Sequence, residues 1–402
     1  ELTVDTIAPM IAVNTLSTAD NRPALTGTIT DTTATIAVSV GGQTGLVATN
    51  NGNGTWTLAD DTINPGLPDN LYNVVAIATD TAGNTGSDSG VNELRIDTTA
   101  PTVTVNTLST TDRRPPLSGS VNDSTATITV SVGGQTGLAA TNNGNGTWTL
   151  ADNTINPNLV DNTYDVSVTA TDALSNVGTD GTNNELTIDA TAPTVTINTL
   201  TTNDNRPELT GTINDNTATV RVRVNGQTRT ATNNANNTWT LADDTITPAL
   251  SDGTYDVIVF GIDTLGNTAM DSSVNELRID TVTPTVTVST LTTNDQRPPL
   301  SGTVDDTTAA ITVDVGGQTG LSATNNGNGT WTLANDTINP NLAENIYDVV
   351  VTATDSAGNA GSDGTTNELD IDLSAPTITV TSQNTNDTTP AISGSVSDNN
   401  AT

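Results

Sequence analysis

Cysteine, histidine and lysine are absent from this chain, and each absence removes a class of chemistry. Without cysteine or histidine there is no Ser–His–Asp triad, no Cys–His pair, no disulfide framework and no thiolate or imidazole zinc site. The ten basic residues are all arginine and stand against 45 acidic ones, a formal charge of -35. Such a charge repels phosphate backbones and anionic lipid surfaces, so no nucleic-acid partner is expected. Hard divalent cations are its natural counterions. No apolar run approaches the roughly 20 residues of a membrane span, so no direct membrane insertion is expected, and no basic-plus-apolar signal segment opens the sequence. Aromatic residues make up only 2% of the chain.

What is present is repetition. "NELRIDTTAPTV" from Asn92 returns as "NELTIDATAPTV" from Asn184, "NELRIDTVTPTV" from Asn275 and "NELDIDLSAPTI" from Asn367. Trp56, Trp148, Trp239 and Trp331 are 92, 91 and 92 residues apart, as are Tyr72, Tyr164, Tyr255 and Tyr347. A unit of that length can close its own core, unlike repeats of about 20–45 residues that lean on neighbours. The spacing divides the chain into residues 1–5 (end of a preceding repeat), 6–97, 98–189, 190–280, 281–372 and a partial unit, 373–402. Its first and last residues fall inside the repeat pattern, so the expectation is an excerpt of a longer array.

Within the second unit, period-2 alternation marks strands. "TATITVSV" sets Ile128, Val130 and Val132 against Thr127, Thr129 and Ser131, and "TYDVSVTA" sets Tyr164, Val166, Val168 and Ala170 against Asp165, Ser167 and Thr169. "TVTVN", "PLSGSV", "TGLAAT", "TWTLA" and "ELTID" complete seven strands, with no segment reading as a helix. The predicted fold is all-β: tandem immunoglobulin-like sandwiches of seven strands each, arranged end to end as an extended rod. Trp148, alternating with Leu150 after the hairpin turn "NNGNG", is assigned to the core, and Tyr164 to a tyrosine corner.

Running the strands alternately down and up sorts the acidic residues by end. One end collects Asp123 of the B–C loop, Asp172 and Asp180 of the F–G connection, Glu185 and the incoming linker residue Asp97. The same positions recur as Asp5, Asp31, Asp80, Asp88 and Glu93, as Asp189, Asp215, Asp263, Asp271 and Glu276, and as Asp280, Asp306, Asp355, Asp363 and Glu368. Asp372 and Asp398 open the next set. Other acids drift: Asp60 and Asp152 give way to Asn335, Asp61 to Asn153, and Asp69 to Glu344. Carboxylates gathered at one end repel unless a cation sits among them, and Ca²⁺, with 6–8 oxygen ligands in flexible geometry, suits ligands from separate loops. The plain alternative is that these Asp residues form turns and add solubilising charge. In "IDTTAP", Asp97 ends one repeat and Pro101 begins the next, so an ion held by Asp97 with Asp123, Asp172 and Asp180 would fix the angle between neighbouring repeats. Asp20, in a recurring "D-x-R-P", either joins that set from the preceding repeat or pairs with its own arginine.

The motifs "IDTTAPTVTV", "LSGSVND", "GNGTWTL", "LSDGTYDV" and "ATDTAGN" together resemble the bacterial Ig-like repeats of giant secreted adhesins, including biofilm-associated proteins and type I-secreted RTX adhesins. The likeness covers the whole chain. It implies secreted, cell-surface extender domains, rigidified by Ca²⁺ at the linkers, that hold an adhesive tip away from the cell. By motif position it carries over to Asp97, Asp123 and Asp172. The second unit departs from the pattern, reading "ATDALSN" where the first reads "ATDTAGN".

Other signals dissolve on inspection. "GGQTG" at Gly133 lacks the Lys-Ser/Thr and the helix of a phosphate loop, and neither an RTX nonapeptide nor an EF-hand loop occurs. Paired carboxylates would suit a glycosidase, yet no unit carries a pocket-building insertion, so no enzyme is expected. "NNT" at Asn236 is a formal glycosylation sequon. Two functions follow. In the first the repeats are spacers of roughly 40 Å each, about 160 Å for four in line, touching only Ca²⁺, neighbouring repeats and surface or matrix partners reached by other regions. In the second the repeats themselves bind ligand or assemble into a filament or matrix, a reading motivated by hydroxyl rows such as Thr127, Thr129 and Ser131.

Overall fold

The structure, a computed structural model, describes residues 3–88 and 90–397. Its contacts divide it into two compact units, residues 1–191 and 192–402. Four separate hydrophobic clusters, one per repeat, fill it. No helix among the described residues is long and apolar enough to cross a membrane.

The first repeat shows how the pattern folds. Its strands are β1 (Ile11–Val13), β2 (Leu16–Thr18), β3 (Leu25–Ile29), β4 (Thr35–Val40), β5 (Gln43–Asn50), β6 (Thr55–Leu58), β7 (Asn70–Tyr72), β8 (Val74–Thr79), β9 (Thr85–Ser87) and β10 (Leu94–Ile96). Burial alternates along β3 and β8, as period-2 sequences facing water on one side require. β5 is long enough to pair with β4 at one end and β6 at the other, which curls the sheet β1-β3-β6-β5-β4-β8-β9 around the core. A three-stranded sheet, β2-β10-β7, closes the remaining side, with β2 parallel to β10.

The tryptophan is the keystone of each core. Trp148 is fully buried, and its Nε1–H donates to the carbonyl of Thr104 at 2.9 Å, so burial leaves no indole donor unpaired. Gly119 lies beneath it because a Cβ there would fall 1.8 Å from the Thr104 carbonyl and 2.6 Å from Trp148 Nε1. The tyrosine corner forms as predicted: Tyr164 Oη donates to Val160 O at 2.8 Å, and the other three repeats match it.

The all-β sandwich is as read from the sequence, with its strands in more pieces. The A strand breaks into β1 and β2, the F strand into β7 and β8, and a segment taken for loop becomes β9. In the second repeat the counterpart of β1 shrinks to a single bridge, Val103–Val121. After the fourth repeat, Ile378–Val380 pairs with Gly394–Val396 and leaves Ile378 and Ile392 exposed.

Candidate metal centre at the repeat junctions

Three sets of recurring acids meet at the junctions inside each unit. The B–C loop supplies the first. Asp123 Oδ1 accepts the backbone N–H and hydroxyl of Thr125, at 2.8 and 2.7 Å, in a turn that Asp31, Asp215 and Asp306 repeat. The side-chain amide of Asn142 braces this loop by donating to the carbonyls of Asp123 and Ala126. Both donors on Thr33 hold the Asp31 carboxyl below its ordinary pKa.

The loop after β8 supplies the second set. Asp172 Oδ1 accepts the N–H groups of Leu174 and Asn176, and Oδ2 accepts the Asn176 side-chain amide at 2.8 Å. That amide bond leads the donors that lower the pKa of Asp172, as the Asn84 amide does for Asp80. For Asp263 and Asp355 burial pushes upward, but the Asn267 and Asn359 amides and the loop N–H groups bring the net shift down. Here the departure in the second repeat finds its answer. Ser175 takes φ 71°, the left-handed conformation that Gly83, Gly266 and Gly358 adopt at the same place, so the loop keeps its shape without glycine.

The linker supplies the third set. Asp97 Oδ2 lies 2.6 Å from Arg95 Nη2, and Asp280 is held the same way by Arg278. Asp97, Asp123 and Asp172 all line one depression of about 380 Å³, with Arg95 at its edge. In the second unit, Asp280, Asp306 and Asp355 line its counterpart, joined by Asp305 and Arg278. Asp372 lines a third depression with Glu344 and Asp370, while Asp398 lies outside the described residues. Asp5 caps the N–H of Ile7, and Asp189 receives the N–H of Thr191 at 3.3 Å.

Two contributors to the linker escaped the sequence reading. The amide of Asn176 donates to the backbone carbonyl of Asp97 at 2.9 Å, tying one repeat directly to the preceding linker, and Asn84–Asp5 and Asn359–Asp280 do the same. Asp69, taken for drifting surface charge, accepts hydrogen bonds from Thr98 and Thr99 of the linker. Asp161 holds Thr191, Asp252 holds Thr281, and Glu344 holds Ser374. The signal was there: the position changes residue but stays acidic in all four repeats.

The remaining predicted members sit elsewhere. Because β9 turns the chain back along β8, Asp88, Asp180, Asp271 and Asp363 come level with the middle of the sandwich, where their N–H groups bond Ala76 O, Val168 O and, in the fourth repeat, Val351 O. Asp88 Oδ2 and Asp271 Oδ2 cap the N–H groups of Val13 and Ile197 on the first strand. Asp180 and Asp363 accept the hydroxyls of Thr182 and Thr365. Glu93, Glu185, Glu276 and Glu368 are not at the junction end either. They are buried, with Oε2 receiving the first N–H of β8 or its counterpart and Oε1 without a partner among the described residues. Burial pushes the Glu185 carboxyl up, but hydrogen bonding, the Val166 N–H included, more than offsets it. In "D-x-R-P", Asp20 caps the backbone N–H of Arg22, while the guanidinium reaches the carbonyls of Ile63 and Asp61 and ion-pairs with Asp61. Neither sequence reading of Asp20 describes that arrangement.

As a donor set the depressions fit a hard cation in kind, since every acid lining them offers oxygen and no soft ligand is present. Several of the oxygens are already engaged: Asp172 accepts three bonds from its own loop, Asp123 Oδ1 two from its turn and Asp97 Oδ2 one from Arg95. Among the described residues no three acidic side chains converge closely enough to hold a metal ion as they stand.

Among solved structures, the chain is similar to a tetra-tandem repeat from the extending region of a large adhesion protein, at 26% identity and TM-score 0.34, covering 91% of this chain and all of that one. It is also similar to a structure concerned with host cell-surface retention of a 1.5-MDa bacterial ice-binding adhesin, at 20% identity and TM-score 0.32, over 69% of this chain and all of that one. A titin I9–I11 tandem follows at 10% identity and TM-score 0.25, over 67% of this chain and 98% of that one. No curated protein sequence matches significantly. The bacterial Ig-like domain profile matches residues 13–98, 196–281 and 287–373. With that match spanning well over half its length, the chain belongs to the bacterial Ig-like domain family.

Proposed function

We propose that the repeats are a non-enzymatic spacer of a bacterial cell-surface adhesin, stiffened by Ca²⁺ at the linkers, with adhesion or biofilm formation carried out by regions they hold outward. The observation that carries this reading is the shared depression, where the linker residue Asp97 meets Asp123 and Asp172 of the following repeat. The Asn176–Asp97 bond supports it, because it already joins the two repeats and leaves a bound ion only their angle to fix. The solved extending region of a large adhesion protein is similar in sequence over most of the chain. Asp97, Asp123 and Asp172, and likewise Asp280, Asp306 and Asp355, would hold the ion; it would supply positive charge that the acids lack.

The test is small-angle scattering and calorimetry on the full chain, in Ca²⁺ and in chelator. Each ion present at 100 times its Kd should add about 2.7 kcal/mol to the repeats it bridges. A higher melting temperature and a larger maximum dimension in Ca²⁺ are expected; identical curves and dimensions in both conditions would remove the Ca²⁺ role.

The alternative, repeats that assemble or bind ligand, has one favouring observation. On the outer face of the third repeat Arg221 pairs directly opposite Phe260, with Arg223 and Met270 beside them, where the second repeat has Thr129, Thr169, Ser131 and Thr179. Self-association of the full chain in low salt that moderate salt dissolves would establish it.

A further inference from the structure

The third repeat gathers on one outward face what the rest of the chain uses only internally. Along Thr219–Val224 the three valines are buried, while Arg221 and Arg223 are exposed. On the neighbouring strand, Val257–Ile262, Ile258 lies opposite Arg223 and Phe260 opposite Arg221, and Met270, 61% exposed, stands beside Phe260. Phe260 is the one phenylalanine of the chain; the tryptophans are all in cores and the tyrosines all in corners. Of the ten arginines, Arg95, Arg113 and Arg278 pair with carboxylates, and five more reach backbone carbonyls. That leaves Arg221 and Arg223, which have no hydrogen-bond or ion-pair partner among the described residues. The fold does not call for them, because Thr129 and Ser131 occupy the same positions in the second repeat with the same strand pairing.

The fourth repeat carries the opposite charge at the same place. Asp314 stands where the third repeat has Arg223, and Val350, 45% exposed, lies opposite it as Ile258 lies opposite Arg223. The first two repeats have Ser39 and Ser131 there, so charge enters this position only in the third and fourth, with opposite signs. We propose that the third-repeat face of one chain docks on the fourth-repeat face of a second copy, with Arg223 against Asp314 and Ile258 packed on Val350. This deepens the assembly reading above and rests on it. Because the two faces share one backbone, turning one over so that both pairs meet lays the chains antiparallel. Each chain holds both faces, so the contact either closes as a two-fold pair or continues into a bundle. Arginine, aromatic and methionine side chains are the types enriched at the centres of protein interfaces. One sheet face of a single repeat offers about 400 Å², about half of what a stable dimer buries on each partner. Each contact is therefore weak, and tethered chains gain by making several. Chains of charge -35 repel one another at long range. At about 0.1 M salt that repulsion is screened beyond about 10 Å, while charges in contact still attract.

Sedimentation velocity of the full chain tests this, over a concentration series in chelator at about 0.1 M and about 0.5 M salt. The native chain should self-associate at the lower salt and come apart at the higher. Arg223→Asp and Asp314→Arg should each weaken association by about tenfold or more. Combined in one chain they should restore it, because the reversed pair attracts again. If the native chain associates but either reversal leaves it unchanged, or the combined variant fails to recover, this contact is overturned and assembly through another surface survives. A native chain that stays monomeric throughout ends both readings. Serine already stands at this position in two repeats, so Arg223→Ser and Asp314→Ser carry the test should a reversal fold poorly. Each should lower association, and no change in either would overturn the contact.

Discussion

The second and third repeats are the same domain built with different tolerances, and a single residue shows how. In the second repeat, the strand after the "GG" turn carries a bulge, with the register shifting between Val130 and Val132 and Gly137 at φ 69°. In the third, the corresponding ladder runs without a break from Val220–Ala231 to Val224–Gln227. One residue fewer suffices, which accounts for the 91-residue step from Trp148 to Trp239 amid steps of 92. Arg229, opposite Val222 as Leu138 is opposite Val130, now reaches the carbonyls of Thr245 and Thr247, stitching the strand to the neighbouring loop. Inward positions hardly change between the two repeats; outward ones change in size and charge. The core fixes the fold, and the outer face is free to vary.

The inward pair that exchanges glycine for alanine offers the sharpest way to break the comparison. Ala170 faces Gly178 in the second repeat, whereas Gly261 faces Ala269 in the third. A Cβ at Gly178 would lie 1.7 Å from the carbonyl of Pro101. In the third repeat, where that Cβ exists, the Pro193 ring stands 3.3 Å from the site of a Cβ on Gly261, filling the room the swap leaves. Gly178→Ala should therefore cost about 2–3 kcal/mol, read as a lower denaturation midpoint for that repeat. Adding Ala170→Gly should recover part of the loss; no recovery would mean the two positions are not a matched pair.

A smaller effect is expected at the tyrosine corner. Tyr164 Oη has Val160 O as its partner, while Tyr255 Oη has both the carbonyl and the hydroxyl of Ser251. Tyr164→Phe and Tyr255→Phe should each cost about 0.5–1.5 kcal/mol, the second at least as much as the first by chemical denaturation. Equal stability of Tyr164→Phe and the native chain would show that the corner bond contributes nothing net.

Smallest is a carboxylate pair peculiar to the third repeat. Asp243 shares a hydrogen bond with Asp204, which pushes its pKa up, with burial and the Asp204 and Asp244 charges adding to the shift. In the second repeat the neighbouring residue is Asn153, whose amide donates to Asp152 at 2.7 Å. Because the folded pKa is raised, the pair's contribution is complete below the ordinary Asp value near 3.9 and is lost as pH rises through the folded value. Asp243→Asn should raise the melting temperature slightly at pH 7 and leave it unchanged near pH 3. A gain of equal size at both pH values would rule out the shared proton as its cause.

Much of the fold was legible because it is written in alternation. Ile128, Val130 and Val132 could face only one way, Trp148 needed a core, and Tyr164 followed a turn that suits a corner. The candidate site was legible only by its linker and loop members, Asp97, Asp123 and Asp172. The three-residue counterpart of β9, Val177–Thr179, is too short and too interrupted by Gly178 to show a period, so Asp180 was placed at the wrong level. Glu185 was grouped with the junction acids because sequence cannot show that a backbone N–H waits inside to receive it. Asn176 and Asp69 were overlooked since carboxylates draw attention to themselves as ligands, while hydrogen bonds to a neighbouring linker depend on a geometry that exists only after folding.

The parallel pairing of β2 with β10 has a mechanical consequence. Tension applied along the chain enters a repeat near its first strands and leaves from its last, pulling β2 and β10 in opposite directions along their common axis. Their three residue pairs are then loaded in shear and must fail together, not peel one by one. Every repeat carries the same clasp, Leu108–Thr110 with Leu186–Ile188, Leu200–Thr202 with Leu277–Ile279 and Leu291–Thr293 with Leu369–Ile371, so a tether made of them has no link that unzips.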